Sequence, residues 1–138
     1  MQANWWHPEH FSQKKENLAA RSVIIKAIRR YFDDLGFDEV ETPILQVSPV
    51  MDAHIHAFGT ELKGLDLKTH AKPYLHTSPE FAMKKLLVGG MEQIYQICRV
   101  FRNAEGSKRH VPEFTMIEWY RTKADYTDIM NDCEGLLR

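Results

Sequence analysis

Cysteine is scarce in this chain of 138 residues: there are two, Cys98 and Cys133. Each sits inside an apolar pattern, so both read as packing thiols, and a disulfide-built scaffold is excluded. His54, His56, His70, His76 and Cys98 show no local ligand spacing, and no metal site is expected among them. An excess of one charge is also missing. The net charge is −1, so no global basic field argues for bulk nucleic-acid binding. The pairs Lys14–Lys15, Arg29–Arg30, Lys84–Lys85 and Lys108–Arg109 read as solvated surface. There is no long apolar run. The start MQANWWHPEHFSQKK is polar and aromatic rather than a secretory signal, so no membrane association is expected and the cytoplasm is the default compartment. Internal repeats and low-complexity segments are absent.

What remains is an ordinary globular composition, 43% apolar and 27% charged, long enough for one domain with a core. Residues 1–15 read as a loosely structured arm whose Trp5 and Trp6 should dock on the body. Residues 16–138 form the domain proper. Residues 16–35 read as a helix, with Leu18, Ile25, Ile28, Phe32 and Leu35 at helical spacing and Val23, Ile24 and Tyr31 widening the apolar face. Gly36 is the C′ residue that stops it. Residues 37–41 read as a short strand entering Thr42-Pro43-Ile44-Leu45, with Pro43 confined to an edge or break. This helix, glycine, strand and proline could form a dimer interface, or the helix could pack on its own sheet.

Residues 53–62 read as a strand or strand pair, 64–72 as a polar turn region and 74–76 as a short strand. Ser78 suits an N-cap, Pro79 suits N1 and Glu80 the first turn of a helix ending at Val88 before Gly89-Gly90. Residues 125–138 read as a final helix with Tyr126, Ile129, Met130, Cys133, Leu136 and Leu137 on its apolar face. The order of elements predicts an α+β fold with a mainly antiparallel sheet flanked by helices.

The most informative stretch is QIYQICRVFRNAEGSKRHVPEFTMIEWYR, residues 93–121. Residues 93–103 are apolar and β-prone, and residues 113–121 alternate with period two. The basic loop between them is far longer than a tight hairpin turn, and such loops usually hold something. The strand period puts Phe114, Met116, Glu118 and Tyr120 on one face, spanning about 20 Å. Arg102, at the loop mouth, offers the planar fork of donors that suits phosphate, and Lys108, Arg109 and His110 add charge. Phe114 offers a face for a purine, and Glu118 and Glu80 offer carboxylates for an amino group. Such a platform suits activation of an amino acid by ATP.

FRN, a loop of six, His110 and then PEFTMIEWY resembles motif 2 of class II aminoacyl-tRNA synthetases, nearest the lysyl type. Gly36-Phe37-x-x-Val40-x-x-Pro43-Ile44-Leu45 resembles motif 1, the dimerising element, and TSPEFAMKKLLVGG resembles the lysyl-type segment between them. Two features differ from lysyl-tRNA synthetases: about fifteen residues stand where an anticodon-binding barrel would, and residues 50–58 replace a glycine-rich segment. With TSPE, EFTMxEWYR and the Trp-Trp-His-Pro start, the chain looks like the elongation factor P lysine ligase family. That family activates lysine, preferably (R)-β-lysine, with ATP and transfers it to a lysine side chain of elongation factor P.

The resemblance implies that Arg102 clamps the α-phosphate and the substrate carboxylate, as the catalytic residue. It implies that His110 contacts the γ-phosphate side, Phe114 stacks on adenine and Asn103 orients the site. Glu80 would hold one substrate amino group; Glu118 and Tyr120 would bind the far one. Gly36, Phe37 and Pro43 would lie in a homodimer interface. The family glutamate that reads the adenine amino group falls at Ala104 here. Glu105 is the adjacent carboxylate, but in a strand a one-residue shift reverses side-chain direction, so its use depends on loop geometry. Motif 3 and the acidic Mg²⁺ ligands are not among these residues, so the expected synthetase-like domain is incomplete and the chain alone is expected to be inactive. A lysyl-tRNA synthetase fragment and a non-catalytic binding or dimerisation module are the alternative readings.

Overall fold

A computed structural model of the chain describes residues 6–49 and 51–138, without the side chains of His10 and Gln13. It divides into two compact units, one of Met1–Gly36 with Tyr126–Arg138 and one of Phe37–Asp125.

The first unit holds two helices. α1 runs Pro8–Asp34, with proline in its first turn, where the missing N–H is no loss. It therefore begins eight residues before the expected start, and Pro8–Lys15 of the expected arm is helical. Trp5 lies outside the described residues, and Trp6 is 63% exposed. α1 ends where Gly36 takes φ +77°, its N–H bonded to the Asp33 carbonyl. Phe32 is fully buried, its ring edge-on to Tyr31, whereas Leu18, Val23 and Ile24 stay exposed.

α3 runs Tyr126–Leu136. The Tyr31 hydroxyl donates to the Asp132 carbonyl at 2.9 Å, and a Cβ on Gly135 would meet that hydroxyl. The contact with α1 thus uses Asp132 and Gly135. Tyr126, Met130 and Leu137 are exposed, and so is Cys133, which corrects its reading as a packing thiol.

The second unit is built on a long hairpin. β7 (Gln93–Phe101) and β8 (Glu113–Arg121) pair antiparallel along their whole length, from Gln93 opposite Arg121 to Phe101 opposite Glu113. β1 (Asp38–Glu39) joins the other edge of β7 in parallel. Ahead of β7 lie several two- or three-residue strands. β2 (Leu45–Gln46) and β3 (Phe58–Gly59) flank β6 (Tyr74–Leu75), and β4 (Leu62–Lys63) pairs with β5 (Thr69–Ala71).

The expected strand over 53–62 is thus reduced to β3, the start of β4 and an isolated bridge of His56 to Asn103. The expected turn region 64–72 contains β5, because its alternating Thr69 and Ala71 find a partner in β4. α2 (Glu80–Val88) stops as expected at Gly89-Gly90, where Gly90 takes φ +108°. Ser78 Oγ accepts the Glu80 N–H at 3.0 Å, while Pro79 occupies the capping position itself. Phe37, Met83, Ile94, Tyr95 and Val100 form the apolar core of this unit, joined by buried His76, Thr77 and Gln96. The Gln96 side-chain oxygen accepts the Thr42 hydroxyl at 3.0 Å.

Gly36 and Gly106 separate two roles of glycine. An added Cβ would meet nothing within 4 Å at either, but only Gly36 has a positive φ. Gly36→Ala is expected to lower the unfolding free energy by about 1–2 kcal/mol through left-handed strain. Gly106→Ala should leave it unchanged or raise it slightly. Urea denaturation of both variants checks the contrast.

Candidate functional site

The register of β7 and β8 fixes one face of the hairpin: Phe114 beside Val100, Met116 beside Cys98, Glu118 beside Gln96 and Tyr120 beside Ile94. Side chains directly opposite in an antiparallel pair stand about 4.5–5.5 Å apart at Cβ. The expected shared face is therefore present, and its two ends carry different chemistry.

At the loop end, Arg102, Glu105, Arg109, His110, Val111 and Phe114 line a cavity of about 270 Å³. The size is near the lower bound for a small-molecule site. The Arg102 guanidinium lies 5.3 Å over the Phe114 ring, and its Nε–H donates to the Thr77 carbonyl at 3.3 Å. One side chain thus reads an aromatic face and a backbone oxygen while its remaining N–H groups are available. Backbone bonds anchor this mouth: Arg102 N–H to the Pro112 carbonyl, Asn103 N–H to His56 and Phe101 N–H to His76.

Ala104 follows with φ +59°, its N–H capped by the Asn103 side-chain oxygen at 2.9 Å. That left-handed residue breaks the strand alternation. The side-chain reversal that a strand would impose on Glu105 does not operate here, and Glu105 lines the cavity. Asn103 serves the turn through its side chain rather than lining the cavity.

The other end is a carboxylate cluster. Ser78 Oγ–H donates to Glu118 Oε1 at 2.5 Å and the Tyr120 hydroxyl donates to Oε2 at 2.7 Å. Both oxygens of Glu118 are held, so it is oriented by the site rather than by Arg99 or Arg121. Arg99 stands 3.7 Å from Glu113, and the Arg121 guanidinium lies 4.7 Å over Phe37. Burial first, then the hydrogen bond and charge of Glu118 and the charge of Glu80, hold the Tyr120 phenol well above its ordinary range. Burial pushes the Cys98 thiol up to about 11; a polar contact with Gln96 offsets part of this and the Glu118 charge adds to it. Glu80 bonds Lys84 one turn along α2 at 2.6 Å.

Sequence reasoning treated Ser78 only as a helix cap. Its second bond, to Glu118, joins residues forty apart in the chain, which no local pattern carries. Of the dimer candidates, Gly36 closes α1, Phe37 is buried and Pro43 is exposed with its carbonyl accepting from the Gln46 side chain. Among the described residues, no three His, Cys, Asp or Glu side chains converge on a metal-sized site, and no helix is long and apolar enough to cross a membrane.

Comparison with known proteins places this geometry in context. The family model "tRNA synthetases class II (D, K and N)" matches residues 5–138. The proteins named elongation factor P–(R)-β-lysine ligase from Actinobacillus succinogenes and Pasteurella multocida are each 45% identical over 133 residues, covering 96% of this chain and 40% of the relative. The ligase of the same name from Avibacterium paragallinarum is 42% identical over 138 residues, 100% of this chain and 42% of the relative. The chain therefore spans about 40% of the length of these curated relatives.

The Cys98 thiol reports on the carboxylate cluster, with the exposed Cys133 as its reference. At about pH 8, Cys133 is expected to alkylate well before Cys98, which stays protonated and half-buried. Glu118→Gln removes a negative charge, so it should lower the ionisation midpoints of both Cys98 and Tyr120, leaving each above its ordinary range because burial remains. Because the Cys98 thiol is raised on folding, the unfolded chain loses that proton first. Stability should fall as pH rises from the ordinary thiol range, about 8.5, towards 11. Mass-resolved alkylation and phenolate absorbance read the ionisation outcomes, and urea denaturation over that pH range reads the stability.

Proposed function

The chain belongs to the class II tRNA synthetase family of the D, K and N type, and from that premise we propose that it supplies the ATP and amino-acid platform of an adenylate-forming ligase. The observation that carries the reading is the single hairpin face with an aromatic, arginine-lined cavity at one end and an oriented carboxylate at the other. ATP lies along this face with its base at Phe114 and its phosphates towards Arg102 and His110. The amino acid extends towards Glu118.

In the first step, a carboxylate oxygen of the amino acid attacks the α-phosphorus of ATP, and pyrophosphate leaves. Arg102 moves from the Phe114 ring to the α-phosphate and the incoming carboxylate, offering donors to the charge that develops in line. Phe114 then stacks on the adenine, and Glu105, turned into the cavity behind Ala104, accepts from the adenine amino group. Asn103 orients the mouth by capping that turn. His110 donates at the γ-phosphate end. Glu118, held by Tyr120 and Ser78, accepts from the side-chain ammonium of a lysine-type substrate, and Glu80 exchanges Lys84 for the other amino group. A cation there meets two carboxylates and the oxygen dipoles of Ser78 and Tyr120, which suits lysine or β-lysine over a neutral side chain.

In the second step, a nucleophile takes the acyl group and AMP leaves. The names of the relatives point to elongation factor P as the acceptor, and we take one of its lysine side chains as that nucleophile; the family description keeps tRNA as the second reading. Mg²⁺, which in this chemistry neutralises phosphate charge, would be held by residues outside this chain. The segment around Pro43 serves a homodimer contact.

Titration calorimetry tests the platform on the chain itself. Arg102→Ala is expected to weaken ATP binding about 10- to 100-fold, the loss of charge-assisted hydrogen bonds worth roughly 1.5–3 kcal/mol. Far-ultraviolet circular dichroism should be unchanged. In a protein of the relatives' full length, the same change should abolish lysine- or β-lysine-dependent ATP–pyrophosphate exchange. Exchange that survives Arg102→Ala would overturn the clamp assignment. Transfer of label to elongation factor P or to tRNA decides between the two acceptors.

A further inference from the structure

The tip of the long loop is closed by one hydroxyl. Ser107 Oγ accepts the backbone N–H of Arg109 at 3.2 Å and that of His110 at 3.1 Å. It also lies 2.8 Å from His110 Nδ1, and the Ser107 N–H returns to the His110 carbonyl at 3.2 Å. A serine hydroxyl has two acceptor lone pairs and one proton. The two backbone donors take both lone pairs. With that assignment the contact with Nδ1 uses the hydroxyl proton, so Nδ1 of the neutral ring is the acceptor. The ring proton then sits on Nε2, and His110 lines the cavity beside Arg102 and Phe114 as a single N–H donor.

We propose that Ser107 is a positioning residue that locks His110 in the Nε2–H tautomer and fixes its ring, so that the loop offers an oriented donor to the terminal phosphate of a nucleotide in the cavity. The link to a nucleotide rests on the function proposed above; the tautomer lock rests on the loop geometry alone. The lock removes two freedoms at once, ring rotation and proton placement, that a histidine on an exposed loop would otherwise keep. Lys108 is not needed for it, since its side chain takes no part in these bonds. The same hydroxyl links the backbone of Arg109 to that of His110, so a second cavity-lining side chain shares the anchor.

The test uses ¹⁵N-histidine-labelled chain at about pH 8.5, above the ordinary imidazole range, with His110 assigned by the signal lost in His110→Gln. Wild type should show Nδ1 wholly unprotonated and Nε2 protonated. Ser107→Ala should shift both nitrogens towards the averaged values of a free imidazole, and Ser107→Thr should restore them. Identical shifts in wild type and Ser107→Ala, or a proton on Nδ1 in wild type, would overturn the lock. For the nucleotide arm, ATP is the probe. Ser107→Ala should raise the Kd about 3- to 10-fold, the loss of one ordinary hydrogen bond. In a His110→Gln background the same change should have little effect, because the two act through one donor. Additive effects would show that Ser107 serves only the loop backbone, and would overturn its role through His110. If wild type binds no ATP, the proposed function fails while the nitrogen shifts still decide the lock.

Discussion

The register between β7 and β8 is the constraint from which the rest of the site follows. Nine residues on each strand pair without a bulge. Buried side chains on β7, among them Ile94, Tyr95, Gln96 and Val100, hold that register against slippage. A slip by one residue would carry Phe114, Glu118 and Tyr120 to the opposite face and bring Thr115, Ile117 and Trp119 into their place. It would also place Ser78 against a residue unable to accept its hydrogen. Packing of the core and chemistry of the site are thus specified by the same pairing.

Around that hairpin, the connecting segments act as fasteners. His76 and Thr77 follow β6 and lend their carbonyls to Phe101 and Arg102. Ser78 then reaches Glu118 and the first turn of α2 with one oxygen. A single short stretch therefore ties a strand end, a helix start and the carboxylate cluster. One of these bonds is backbone to backbone, one joins two side chains and two join a side chain to the backbone; each contributes about 1 kcal/mol net, but loss of one partner exposes the other to a larger penalty. The effect is rigidity at the positions that face the cavity, which is what binding and transition-state stabilisation both require.

Much of this was legible in the chain. Period-two alternation located β8 to the residue, and the glycine pair located the end of α2. The shared face of Phe114, Met116, Glu118 and Tyr120 followed from strand geometry, and the class II resemblance carried the order of the segments. Other features were invisible for physical reasons. The early start of α1 was hidden because the polar residues after Pro8 give no apolar period, yet nothing in them breaks a helix. The reduction of 53–62 to fragments came from pairing partners supplied by distant residues. The exposure of Cys133 reflects a helix contact made by Asp132 and Gly135, small or polar positions that hydrophobic patterning does not count. Ser78 and Ser107 were missed as site residues because a hydroxyl's second partner is set by tertiary geometry.

The left-handed conformation of Ala104 separates where a residue stands in the chain from where its side chain goes. In a regular strand the two are locked together by parity, and moving a functional group by one position destroys it. A turn residue with positive φ resets that parity. A carboxylate written one place later in the sequence can then still face the cavity, as Glu105 does. Position-by-position matching of this loop would record no acidic group at Ala104, whereas side-chain direction finds a carboxylate lining the cavity at Glu105.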